Sequence, residues 1–268
     1  MSMERLSTES VDINYDEKVI VRELDIHFDS PQIVSIIGPN GSGKSTILKA
    51  LGRILKPRKG VVLLNGRDIH ALPAKKVAKM MSILPQGPQT PGDITVRDLV
   101  SYGRSPYHGI FANADGDIDI IEWAISETHL ESMSYRQVNT LSGGERQRAW
   151  LAMALAQKTE ILLLDEPTTF LDIHHQFEIM ELLERLHKRL GITIIMVIHD
   201  LNHAARFSHR VIAVKEGAIF KDDIPHEVIT EDVLKEVFSV RAKVMTVENN
   251  ADNSIIVCVP YGVYDHNP

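Results

Sequence analysis

Gly38, Gly43, Lys44 and Ser45 satisfy the spacing G-x-x-x-x-G-K-[S/T] inside the run GPNGSGKST, which also holds Pro39, Asn40, Gly41, Ser42 and Thr46. That spacing suits a phosphate cradle. The glycines let successive backbone N–H groups wrap phosphate oxygens, Lys44 brings a positive charge to the β- and γ-phosphates, and the Ser45 hydroxyl is a Mg²⁺ ligand. From average composition the bare pattern arises by chance in about one chain in a hundred of this length. An apolar run over 33–37 precedes the loop and helical spacing over 45–55 follows it. The loop is therefore expected between a buried parallel strand and a helix, the context the chemistry needs.

Two further runs end in groups that could work beside such a loop. In EILLLDEP four apolar residues place a strand in the interior of a sheet, and Asp165 closes it. Ligands of open parallel sheets bind at the carboxyl ends of their strands, so Asp165 is placed to hold Mg²⁺, directly or through water. Glu166 comes next and could polarise an attacking water. Alone, the pair would read as two solvated acids at a strand end; beside a phosphate loop the chemical reading prevails. ITIIMVIHD is a further buried strand, ending in His199, which is expected to contact a γ-phosphate. Gln86 follows a short strand over 82–84, and its position gains meaning only together with the other motifs.

A second glycine-rich mouth lies downstream. Ser142, Gly143 and Gly144 open a long helical pattern over 144–156. Exposed N–H groups and the helix dipole would bind an anion there. Ser142 also reads as an N-cap with Glu145 three residues on, a capping box, and both readings can hold at once.

The elements expected to position these groups run as follows. Residues 19–28 read as a strand, 61–64 with the following Asn-Gly as a strand and turn, 74–81 as a short helix. From 86 to 158 strand character gives way to helical patterns over 96–102, 118–126 and 144–156, which suggests a helical subdomain inserted into an α/β core. Strands over 161–164 and 192–198 alternate with helices over 173–190 and 201–207. Residues 211–214 and 218–221 form a hairpin, and the last thirty residues add a short helix and two strands. The 268 residues suffice for one large α/β domain, and 44% hydrophobic and 24% charged content is ordinary for a globular chain. A net charge of −7 argues against a broad nucleic-acid surface. A single cysteine, Cys258, excludes a disulfide framework and reads as a buried small hydrophobe. The opening residues MSMERLSTES lack the apolar core of a signal peptide, and the longest apolar runs are too short to span a bilayer, so any membrane span is expected from another chain.

Taken together, GPNGSGKST, LPQ, LSGGERQR, LLLDEP, FLD and IHD, in this order and spacing, resemble the ATP-binding subunits of ABC transporters over nearly the whole chain. The resemblance implies a P-loop NTPase (RecA-like) α/β core with an antiparallel β subdomain and an inserted α-helical subdomain. It sets a single ATPase domain over 1–268, with 1–86 and 159–235 as the nucleotide-binding core, 87–158 as the helical part and 236–268 as a C-terminal extension. It further implies ATP and Mg²⁺ as ligands, with the metal on Ser45, Gln86 and Asp165, and a head-to-tail homodimer. The second glycine mouth would then serve the other subunit's nucleotide, with Ser142 and Gly144 touching the γ-phosphate in trans and Asp172 crossing the interface. Tyr15 would stack on adenine. Gln86 would link the metal to transmembrane permease subunits, which work with a substrate-binding protein, and the chain would sit at the cytoplasmic face of the membrane.

The stretches VSYGRSPYHGIF, RQRAWLAMALAQKTEILLLDEPTTFLDIHHQ and VCVPYG narrow the resemblance to importers of ferric siderophores and their cobalamin and haem relatives. Within 87–111, Tyr102, Tyr107 and Phe111 among polar residues suggest a groove for a short permease helix. A soluble ABC-type ATPase acting on DNA or the ribosome is the competing class. It is disfavoured by the acidic balance, by the single cassette and by the absence of room for a long coiled coil between the loop and LSGG. A P-loop kinase or GTPase would not explain LSGG or His199. FANADGDIDIIE matches a calcium loop in part, but Phe111 stands at its first ligand position, so a polar loop capping a helix is expected. His174 and His175 read as a solvated or interface face.

Overall fold

The computed structural model describes residues 5–15, 18–88, 92–108, 117–248 and 254–264. The described residues fall into two compact units, those within 1–70 and 195–268, and those within 71–194.

The first unit begins with β1 (Leu6–Tyr15), β2 (Lys18–Leu24), β3 (His27–Phe28), β4 (Ile33–Ile37), α1 (Lys44–Leu51), β5 (Lys59–Leu64) and β6 (Arg67–Asp68). β2, β1, β5 and β6 are successive neighbours in an antiparallel sheet, with β3 also on β1. The sequence reading missed β1. Its first half is polar, yet Ser7 and Thr8 are buried, and Thr8 Oγ1 donates to Leu24 O and accepts from Ile26 N–H. A side chain that satisfies its own polarity can occupy a core position, so alternation was hidden there. Helix α1 stops four residues short of the expected 55, because Gly52 caps it and Arg53 turns left-handed at φ 62°.

The second unit carries α2 (Ala74–Ala78), β7 (Met81–Leu84), α3 (Val96–Tyr102), α4 (Ile118–Glu127), α5 (Gly143–Ala156), β8 (Ile161–Asp165) and α6 (Ile173–Leu190), and β9 (Thr193–Val197) starts in it. β7 and β8 are parallel, Leu84 facing Leu164. Both leave the sheet at the same end, so the residues two beyond that pair, Gln86 and Glu166, are brought side by side. β8 and β9 are buried along their whole length, as expected of strands covered on both faces. α3 and α4 pack on α5. Arg104 ties them by donating to Asp117 and to Ala156 O, with its guanidinium 3.9 Å from the Tyr107 ring centre. α6 has both ends specified: Asp172 accepts from His175 N–H at the start, and Gly191 closes it at φ 64°. Its buried residues Ile179, Met180, Leu182, Leu183 and Leu186 form one stripe.

Back in the first unit come α7 (Leu201–Phe207), β10 (Arg210–Lys215), β11 (Ala218–Asp223), α8 (Pro225–Val228), α9 (Glu231–Phe238), β12 (Val240–Glu248) and β13 (Ser254–Val263). β10 runs parallel to β4 and pairs antiparallel with β11, the expected hairpin. Ile198 N–H, just past β9, donates to Ile36 O of β4. β12 and β13 form an antiparallel hairpin against α9 and α7. Cys258 is buried there, bonded through its backbone to the Asn202 side chain, and burial pushes its thiol pKa up. It is a packing residue, as the sequence suggested. No helix among the described residues is long and apolar enough to cross a membrane.

Candidate functional site

In the first unit, β4 delivers the chain into the glycine loop and α1 receives it. Gly38 has φ 155°, and a Cβ on it would lie 2.3 Å from Val214 O and 2.7 Å from Ser42 Oγ, so only glycine fits. Gly43, at φ 103°, caps α1. Lys44 is only 5% exposed, and its ammonium donates to Gly38 O and Pro39 O, each at 2.9 Å. Those carbonyls hold the charge inside the loop's curl. Ser42 Oγ is buried without a hydrogen-bond partner. A buried orphan hydroxyl costs about 1–3 kcal/mol, a cost that an oxygen-rich ligand in the loop would relieve. Asn40 and Gly41 are exposed, while Ser45 and Thr46 sit in the first turn of α1. His199 is exposed and follows Ile198, whose N–H donates to Ile36 O of β4, the strand that leads into the loop. Tyr15 ends β1, but its side chain lies outside the described residues.

In the second unit, the β7–β8 register brings Gln86 and Glu166 together. Gln86 Nε2 donates to Glu166 Oε2 at 2.6 Å, and Thr169 Oγ1 donates to the same oxygen at 2.9 Å. Asp165 closes β8 and is 5% exposed. Glu166 is half-buried and left-handed at φ 53°. These residues line a cleft of about 520 Å³, together with Gly143, Arg146, Trp150 and Phe170. Thr169 escaped the sequence reading, although a hydroxyl three residues after an acid in a turn is a detectable signal.

Ser142 and Glu145 form the expected capping box at the mouth of α5. Ser142 Oγ accepts from Glu145 N–H at 3.3 Å, and Glu145 Oε2 accepts from Ser142 N–H at 2.8 Å. That second bond holds the Glu145 carboxyl below its usual pKa. Gly143 and Gly144 lie in the first turn, whose N–H groups have no intrahelical acceptor. Gly144 is buried against His175: a Cβ there would meet the ring at 2.5 Å. His175 Nδ1 is 2.8 Å from Asp172 Oδ1, and the Asp172 carboxyl is held below its usual range, chiefly by His175 N–H and then by the ring. So His175, read as part of a solvated or interface face, also links the turn at Asp172 to the mouth of α5. His174 does stay exposed, beside Glu178. Gly144→Ala should cost about 1–3 kcal/mol by overpacking. A companion His175→Ala should recover most of that loss in thermal melts, since the two changes share one contact.

Two other expectations need amending. Tyr107 donates to Gln157 O and is covered by Arg104 and Lys79, so it packs inward; Tyr102 is half exposed, and Phe111 lies outside the described residues. Asp117, before α4, does not cap that helix but pairs with Arg104 and His108; residues 111–116 of the calcium-like stretch lie outside the described residues.

Residues 21–169 match the family model described as ABC transporter. The chain belongs to the ABC transporter family. As an ABC ATPase it binds and hydrolyses ATP. It is 53% identical to the iron(3+)-hydroxamate import ATP-binding protein FhuC of Bacillus subtilis, over 91% of each chain. It is 40% identical to the ferric enterobactin transport ATP-binding protein FepC of Escherichia coli K12, over 91% of this chain and 90% of that protein. Among solved structures it resembles MJ0796, a bacterial ABC transporter cassette solved as a dimer. That match has a TM-score of 0.72 and 28% identity, over 82% of this chain and 98% of the other.

Proposed function

We propose that this ABC ATPase is the ATP-binding subunit of an importer that carries an iron(III)–siderophore complex through a separate membrane permease. The observation that carries the reading is the 53% identity, over nine-tenths of the chain, to an ATP-binding protein of iron(3+)-hydroxamate import. The chain would be one ATPase domain with its helical part over 87–158, lying on the cytoplasmic face of the membrane as a homodimer. The dimeric MJ0796 cassette supports the last point.

In this reading the glycine loop wraps the phosphates of ATP. Lys44, already held inside the curl by two carbonyls, neutralises the β- and γ-phosphates. Glu166 orients a water and takes its proton as the water oxygen attacks the γ-phosphorus and ADP leaves. His199 contacts the γ-phosphate. Ser142 and Gly144 would meet the γ-phosphate on the other subunit, and Tyr15 would stack on adenine. Ser45, Gln86 and Asp165 offer a hydroxyl, an amide oxygen and a carboxylate, hard donors of the kind Mg²⁺ takes. The Gln86–Glu166 bond uses the amide nitrogen, so it does not consume the ligating oxygen. Bound there, the metal would neutralise charge on the phosphates.

The test is uptake. Deleting the gene from a host with no redundant ATPase should abolish energy-dependent uptake of a ferric siderophore and leave its binding at the cell surface intact. Normal siderophore uptake with cobalamin or haem uptake lost would reassign the cargo. All three unchanged would overturn the importer reading.

A further inference from the structure

Glu166 is a non-glycine residue in the left-handed region, at φ 53°. Such a conformation costs about 1–3 kcal/mol and persists only where the surroundings over-determine it. Thr169 supplies two constraints from inside the same turn. Its N–H donates to Glu166 O at 3.3 Å, and its hydroxyl donates to Glu166 Oε2 at 2.9 Å. One residue thus holds both the backbone and the carboxylate of Glu166. Another bond to that carboxylate comes from Gln86, which is exposed on the segment leaving β7, whereas Thr169 is half-buried. Of the two donors, Thr169 is the one fixed to the turn that carries the acid.

We infer that Thr169 is the positioning residue for Glu166, setting the direction of the carboxylate towards the attacking water while Gln86 is the donor that can leave. The inference rests on Glu166 acting as the base in ATP hydrolysis. A carboxylate held through one oxygen by a short, local hydroxyl keeps its other oxygen aimed without waiting for a loop to close. Losing the hydroxyl removes the restraint on Glu166 that comes from its own turn and leaves the binding of the phosphates to the glycine loop. The deficit should therefore appear in turnover and not in binding.

The experiment compares Thr169→Val, which keeps the shape and removes the hydroxyl, with Thr169→Ser, which keeps the hydroxyl, in the full-length chain, with Glu166→Gln alongside. Thr169→Val should lower kcat about tenfold or more with the KM for ATP unchanged, because small misplacements of a reacting group are costly. Thr169→Ser should restore kcat to within about threefold of wild type, since the donor is back in reach. Wild-type turnover in Thr169→Val with Glu166→Gln inactive would overturn the positioning role and leave the base in place. Loss of ATP binding in Thr169→Val, or no rescue by serine, would also overturn it by showing a structural role. An active Glu166→Gln chain would instead remove the catalytic reading on which the inference rests.

Discussion

Glu166→Gln should leave ATP bound and all but stop its hydrolysis. The substitution keeps the shape of the side chain, and the left-handed backbone at φ 53° together with the main-chain bond from Thr169 should survive it. What is lost is the negative charge that, in the proposed role, would accept a proton from water. A positioned general base contributes about a hundred- to ten-thousand-fold to rate, so turnover should fall by at least about a hundredfold. Two donors converge on Oε2, Gln86 at 2.6 Å and Thr169 at 2.9 Å, and a glutamine presenting its amide oxygen there can still accept both. The variant should therefore fold as the parent does, with an unchanged thermal melt. If hydrolysis closes the cycle, the ATP-bound dimer should accumulate, visible as a doubled mass in size exclusion with ATP and Mg²⁺. Turnover close to wild type would remove Glu166 from the chemistry.

Much of this was legible in the sequence because the governing signals are local. The bounds of α3, α6 and α7 agree with the periodicity to the residue, since caps such as Thr95, Asp172 and Asp200 sit where the apolar stripe begins. Strands β4, β8 and β9 are short continuous apolar runs, and their carboxyl ends carry the glycine loop, Asp165 and His199 as the pattern implied. What escaped depends on pairs distant in sequence. β1 hid because Thr8 is satisfied by Leu24 and Ile26, sixteen and eighteen residues away. The Gln86–Glu166 bond spans eighty residues and follows from the β7–β8 register, which no local pattern encodes. His175 reads as part of a solvated or interface face, and its packing on Gly144, thirty-one positions earlier, is a contact that no local pattern encodes. Aromatics among polar residues suggested a groove; Tyr102 is half exposed, while the half-buried Tyr107 also holds Gln157 O and faces the cations of Arg104 and Lys79, partners that no local pattern encodes.

Mixing two inactive variants should restore ATPase activity if the mouth of α5 works on the other subunit's nucleotide. Within the second unit the mouth presents exposed Ser142 and Gly143, and the nearby turn exposes Asp172. Phe170 is 94% exposed and Ile173 73%, a large apolar display for one turn and the kind of surface a partner covers. The capping box uses Ser142 Oγ to hold Glu145 N–H, so an arginine at 142 removes the cap and crowds the mouth without touching the glycine loop. Lys44→Ala does the reverse, taking out the charge that two carbonyls hold in the loop. Each variant alone should be inactive, because in a symmetric head-to-tail dimer every site then carries one damaged part. A heterodimer of Ser142→Arg with Lys44→Ala gathers both lesions into one site and leaves the other whole. With equal amounts and free exchange, up to roughly a quarter of all sites are intact, which sets the ceiling for recovered activity. Ser142→Arg loses an N-cap worth about 1 kcal/mol, so a thermal melt of that chain alone separates lost folding from lost catalysis. If heterodimers form from two folded chains and activity does not return, the nucleotide site is built within a single subunit, and the exposed turn at Phe170 serves something other than a second copy of this chain.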